Sequence, residues 1–113
     1  MTLPTKCVKI AIDRSSIPAV REWAKTLNAR RDEVLATLRD EGVFVETVFL
    51  EHSDAGDYLI YFIKATDLDR ANEIAAKSTH AIDAFHKQFQ REHWGVRSRP
   101  ELLIDFDRIT PAE

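Results

Sequence analysis

One cysteine, Cys7, occurs in the whole chain, so no disulfide can form within it. A core built without such staples must be held by packing, and the chain is expected to suit a reducing, cytoplasmic compartment. Glycine appears only as Gly42, Gly56 and Gly95, which excludes a glycine-rich loop able to cradle a phosphate. Long apolar runs are missing too. The longest, Tyr58 to Ile63, is far too short to cross a bilayer, and Met1 to Lys6 has no apolar signal-peptide segment. Neither secretion nor a membrane partner is therefore expected. No charge sign dominates: 16 basic residues face 19 acidic ones. That balance lacks the basic footprint that would recruit nucleic acid. There is no HExxH pair and no cysteine cluster, so neither a metal nor another cofactor is expected.

What is present is enough for one folded unit. A chain of 113 residues fits a single domain spanning 1–113 and is too short for two. Its 44% apolar and 31% charged residues are those of a globular protein rather than a disordered one.

Residues 6–12 alternate Val8, Ile10 and Ile12 with Cys7, Lys9 and Ala11, the period-two pattern of a strand. Asp13 to Ser16 supplies turn and capping groups, and Pro18 suits a first helical turn. Val20, Trp23, Leu27, Val34, Leu35 and Leu38 then form a helical stripe. Arg30 and Arg31 interrupt it, predicting a kink or joint within 28–32. Gly42 fits the residue just past a helix end. Residues 43–52 and 57–65 read as two strands joined by the four-residue turn Ser53 to Gly56. Thr66-Asp67 caps another helix. Ser78-Thr79-His80 interrupts it and restarts a helix carrying Ile82, Phe85 and Phe89, ending near Gly95. Leu102 to Ile109 alternates again and predicts a last strand.

The order strand, helix, strand, strand, helix, strand is the ferredoxin-like βαββαβ arrangement. This is an α+β fold with a four-stranded antiparallel sheet and helices on one face. With His52 opposite Asp57, one sheet face carries Phe44, Glu46, Val48, Leu50, Leu59, Tyr61 and Ile63. The other carries Val43, Val45, Thr47, Phe49, Tyr58, Ile60 and Phe62. Helices cover one face only, so the second apolar face predicts a homodimer packed sheet against sheet.

The segments "DEGVFVETVFLE" and "HAIDAFH" resemble a family of small uncharacterised proteins in the dimeric α+β barrel superfamily, along roughly Val8 to Arg91. The resemblance implies the dimeric barrel fold and no particular activity. Superfamily relatives include cofactor-free monooxygenases, haem-degrading enzymes and sugar mutarotases, and fold alone does not choose among them.

The residues that could carry chemistry are few. On the last helix His80, Asp83 and His86 are spaced so that Asp83 neighbours both histidines. A carboxylate there would raise an imidazole pKa and fix its tautomer. Glu46 is the charge in the middle of an apolar strand, with Tyr61 diagonal to it and Arg30 or Arg31 as candidate ion partners. The catalytic candidates are thus His86, Asp83 and Glu46, with Tyr61 and His80 as ligand-binding candidates. The same residues also have structural readings: an aspartate favouring a helix start, edge histidines, and a paired glutamate. Two functions follow. One is a small dimeric domain that binds or transforms a small organic molecule in a pocket between sheet and helices. The other is a non-catalytic dimerisation or regulatory module.

Overall fold

The computed structural model describes residues 3–109. Along the chain run β1 (Thr5–Ile12), a 3-10 turn (Arg14–Ser16), α1 (Ile17–Ala29), α2 (Arg31–Glu41), β2 (Val43–Ser53), β3 (Gly56–Ala65), α3 (Leu68–Lys77), α4 (Ala81–His93) and β4 (Arg97–Ser98). The strands lie in the order β2-β3-β1-β4, each neighbouring pair antiparallel. This is the ferredoxin-like α+β arrangement. Among the described residues no helix is long and apolar enough to cross a membrane.

Local chemistry explains the boundaries. Asp13 accepts the Ser15 N–H and Asp67 accepts the Arg70 N–H, so each caps the element that follows. The joint expected within 28–32 falls at Arg30, whose backbone leaves the helical region (φ −105°, ψ 38°) between α1 and α2. Gly42 closes α2 at φ 70°, a left-handed conformation that glycine enters without a Cβ clash. At the start of α4 the N-cap residue is His80, whose side chain makes no capping bond; Ser78 Oγ accepts the His80 N–H at 3.2 Å.

Register fixes which side chains share a face. Across β1, β3 and β2 the inner rows read Lys6–Ile63–Glu46, Val8–Tyr61–Val48 and Ile10–Leu59–Leu50. The second and third rows pack on Val20 and Trp23 of α1 and Phe89 of α4, making the main core. Ile10 and Leu59 are essentially inaccessible to water, each worth at most about 1.5–3 kcal/mol of burial. A smaller cluster, Val43, Ala65 and Ala71, seals the far end. The outer rows, Cys7–Phe62–Thr47 and Lys9–Ile60–Phe49, have no helix over them.

Three expectations are corrected. His52 does face Asp57, but Ser53 also pairs with Gly56, so the turn is the two residues Asp54 and Ala55. A bulge between Val43 and Val45 inserts Phe44 as an unpaired residue. One extra residue reverses the alternation, so Val43 turns inward opposite Ala65 while Phe44 is 60% exposed. The face assignments of Val43 and Phe44 are therefore exchanged. Third, 102–109 is not a strand. The edge of β1 is occupied by 96–98, through Ala11 N–H to Val96 O at 2.8 Å and the β4 pairs. Pro100 has no N–H with which to continue that ladder, and the chain departs from the sheet. Gly95 makes the close approach possible: a Cβ there would lie 2.8 Å from Ala11 O.

Candidate functional site

Between the inner sheet face and the helices lies a cavity of about 430 Å³. Its walls combine apolar side chains, such as Val8, Leu27, Val34, Ile63 and Ile82, with a polar set drawn from several elements. Lys6 and Glu46 come from the first inner row, one on each side of Ile63. Tyr61 comes from the next row. The helices contribute Glu41, Asp83, His86 and Gln90, and Trp94 and Arg97 follow α4. A second cavity of about 250 Å³ also has Glu46 in its wall, together with Trp23 and Arg31.

Glu46, Tyr61, Asp83 and His86 therefore line one cavity, whereas His80 does not. Its ring nitrogen Nε2 lies 2.7 Å from Asp40 on the surface, and that carboxylate raises the imidazole pKa. Asp83 does not bond to His86. It accepts the Ser78 hydroxyl at 2.5 Å, because the interrupted helix brings Ser78 back over the first turn of α4. Arg30 binds Glu33 one helical turn away, at 2.6 Å, rather than Glu46. Arg31 makes no ion pair with Glu46 among the described residues.

His86 is packed in rings. Trp23 stacks on it at 5.5 Å between centroids, with Tyr61 at 6.2 Å and Trp94 at 6.1 Å. The Trp23 indole N–H donates to Nδ1 at 3.2 Å, so the neutral ring carries its proton on Nε2. Nε2 lies 2.8 Å from the Gln90 amide, whose oxygen end must face it to accept. Burial lowers the His86 pKa to about 4, and the nearby Asp83 charge only partly opposes this. The imidazole is thus neutral at physiological pH.

The carboxyl groups behave in the opposite way. Glu46 is exposed on the edge strand β2, while its side chain borders the cavity. Desolvation raises its pKa, Asp83 adds to this, and the Lys6 ammonium pulls the other way. Glu46 makes no hydrogen bond or ion pair among the described residues, so the ion partner expected for it is not found there. Glu41 is raised to about 7, first by burial and then by Asp83, Glu46 and Asp40. The Tyr61 pKa is pushed far up by burial and by Glu46, which keeps the phenol protonated. The Tyr61 hydroxyl and the Trp94 indole N–H are both buried without a well-formed hydrogen bond. Among the described residues no group of three His, Cys, Asp or Glu side chains is arranged to hold a metal ion.

A family model described as a family of unknown function, DUF6176, matches residues 3–111. The chain belongs to that family. No curated protein matches the sequence. Among solved structures, this DUF6176 member is similar to a dimeric protein of unknown function and ferredoxin-like fold from Bacteroides fragilis. The TM-score is 0.50 and the identity 16%, over 85% of this chain and 91% of that one. A candidate antibiotic biosynthesis monooxygenase from Bacillus cereus gives a TM-score of 0.46 and 10% identity, over 97% of this chain and all of that one. At such identities the first likeness speaks to fold, and the second carries no weight.

Lys6 and Glu41 are cavity residues that the sequence reading passed over in this DUF6176 member. Lys6 was legible in principle, since it holds the same parity as Val8 and Ile10. Glu41 gave no signal, because its enclosure comes from α3 and α4, far away in sequence.

Proposed function

We propose that this domain binds a small, largely apolar organic molecule in the cavity and that Glu46 exchanges a proton with it. The observation that carries the reading is a carboxyl with raised pKa and no protein partner, facing a mostly apolar space of about 430 Å³. Such a group holds its proton more tightly than an ordinary glutamate and can exchange it with a bound molecule. A proton taken from a bound ligand would leave an anion, and the Lys6 ammonium on the same sheet row is positioned to stabilise it. Neutral His86, tied to Trp23 and Gln90, supports the wall rather than acting as the base, and Asp83 acts through charge. Tyr61 contributes a phenol that stays protonated.

The test uses the dye 1-anilinonaphthalene-8-sulfonate. Its fluorescence enhancement with wild type should be lost in Ala75→Trp, which fills the cavity wall, and altered in pH dependence by Glu46→Gln. Equal enhancement in wild type and Ala75→Trp would sink the reading.

We further propose that two copies pair through the outer sheet face. Phe62 and Ile60 are half-buried and Phe49 is 59% exposed on that uncovered face, and the Bacteroides fragilis protein is itself described as dimeric. The half-buried, unbonded Cys7 fits a reducing, cytoplasmic setting. The second functional reading, a non-catalytic dimerisation or regulatory module, is favoured by one observation. His80, Asp83 and His86 all have structural partners already, in Asp40, Ser78 and Trp23.

A further inference from the structure

Beyond Pro100 the chain carries a row of large apolar side chains into water. Leu102 is 59% exposed, Leu103 81%, Ile104 75% and Phe106 90%. Single exposed apolar residues are ordinary, but a contiguous series is not. The same segment is nevertheless firmly attached. Asp105 and Asp107 bind the Lys64 ammonium at 3.0 and 2.9 Å, and the Thr5 hydroxyl donates to Asp105 at 2.7 Å. Lys64 is 3% exposed, so a charge has been sunk beneath the segment, which is costly unless it is fully paired. Lys64 stands opposite Thr5 and next to Phe62 along β3, at one end of the outer face. The segment therefore crosses that end of the face. In an extended chain successive side chains alternate, so anchoring 105 and 107 downward turns 104 and 106 outward.

We propose that residues 101–109 form an arm whose apolar row, Leu102, Ile104 and Phe106, packs on the outer sheet face of a second copy of this chain. This rests on the dimer reading above and names the element that completes it. The area argues for such an element. Three strands about 4.8 Å apart and some eight residues long, at about 3.3 Å each, present a flat patch of about 400 Å². A standard interface takes roughly 800 Å² from each partner. The arm extends the patch without a break, which suits a two-fold pairing of one surface with itself. Charge argues for the same occupant. On the outer face Lys9 lies 3.5 Å from Glu51, and Lys64 is matched by its two aspartates. The surface is thus close to neutral, which suits its own copy better than a charged macromolecule or headgroup.

The experiment is sedimentation velocity on the full chain from 0.1 to 100 µM, with circular dichroism as the check on folding. Wild type should dimerise. The triple variant Leu102→Ser, Ile104→Ser, Phe106→Ser should keep its fold, because these side chains bury little in the monomer, and should raise the dimer Kd at least 100-fold. Lys64→Met, which releases the arm, should raise it about tenfold. If wild type is dimeric and the triple variant has the same Kd, the arm proposal is overturned while the dimer stands. If wild type remains monomeric at 100 µM, both fall together.

Discussion

The two faces of one sheet are made by alternate residues of the same strands, yet they ended up with different physics. The inner face is sealed by α1 and α4 around Ile10, Leu59 and Trp23, and where the helices stand away from it a cavity opens that holds Lys6 and Glu46. The outer face has no helix, its apolar residues are half-covered, and its buried cation is closed over by 101–109. A cover made of helices leaves irregular gaps that can hold polar chemistry. An uncovered flat face offers only area. Chemistry should therefore be sought inside and assembly outside.

Substitutions can test that division directly. The largest effect should come from the inner face: Leu59→Ala should lose about 3–4 kcal/mol in urea melts, as expected for a fully buried leucine, while Phe49→Ala should change monomer stability by less than about 0.5 kcal/mol. Phe62→Asp comes next. It should leave the monomer folded and weaken dimerisation by about 2–3 kcal/mol in sedimentation equilibrium, through an unpaired charge in an apolar interface. Unchanged assembly would move the interface elsewhere.

The third test concerns pH. His86 has a folded pKa of about 4, below its ordinary 6.5, so the unfolded chain binds the proton more readily. Stability should then be complete above pH 6.5 and fall as pH drops toward 4, by about 3 kcal/mol. In His86→Leu that acid limb should flatten even though the variant is less stable overall. A limb of equal size in both proteins would contradict the buried neutral ring. The smallest effect should be at Glu41. Its raised folded pKa, about 7, means the folded state holds the proton better. This stabilisation is present below pH 4.5 and lost as pH rises through 7. Glu41→Gln should match wild type near pH 4.5 and exceed it by about 1 kcal/mol at pH 8; thermal melts showing no difference at pH 8 would remove Glu41 from the enclosed set.

Much of the fold could be read from local patterns, because alternation, caps and breaks are short-range physics. The β1 period, the joint at Arg30, Gly42 as a helix stop and the break at Ser78 to His80 are all of that kind. The misses have long-range causes. The bulge at Phe44 depends on how β2 meets β3, and an alternating string looks the same with or without an extra residue. The segment 102–109 has a strand's alternation, but Asp105 and Asp107 use it to reach Lys64 rather than to pair a backbone edge. For the candidate site, inward parity in the strands brought Glu46 and Tyr61 into view, and helical spacing brought Asp83 and His86. Helical spacing could not say that Asp83 would meet Ser78, that His86 would meet Trp23, or that His80 would swing to Asp40. Those partners sit on other elements or across a break.

One more consequence follows from the Lys64 ammonium. It gathers the Leu3 carbonyl and Thr5 hydroxyl from one end of the described chain, and Asp105 and Asp107 from the other. The described segment is therefore almost a closed ring, with residues 3–5 and 105–107 meeting at one corner. A flexible linker joining residue 3 to residue 109, with new ends opened at the Asp54–Ala55 turn, should give a circular permutant that keeps the Lys64 cluster.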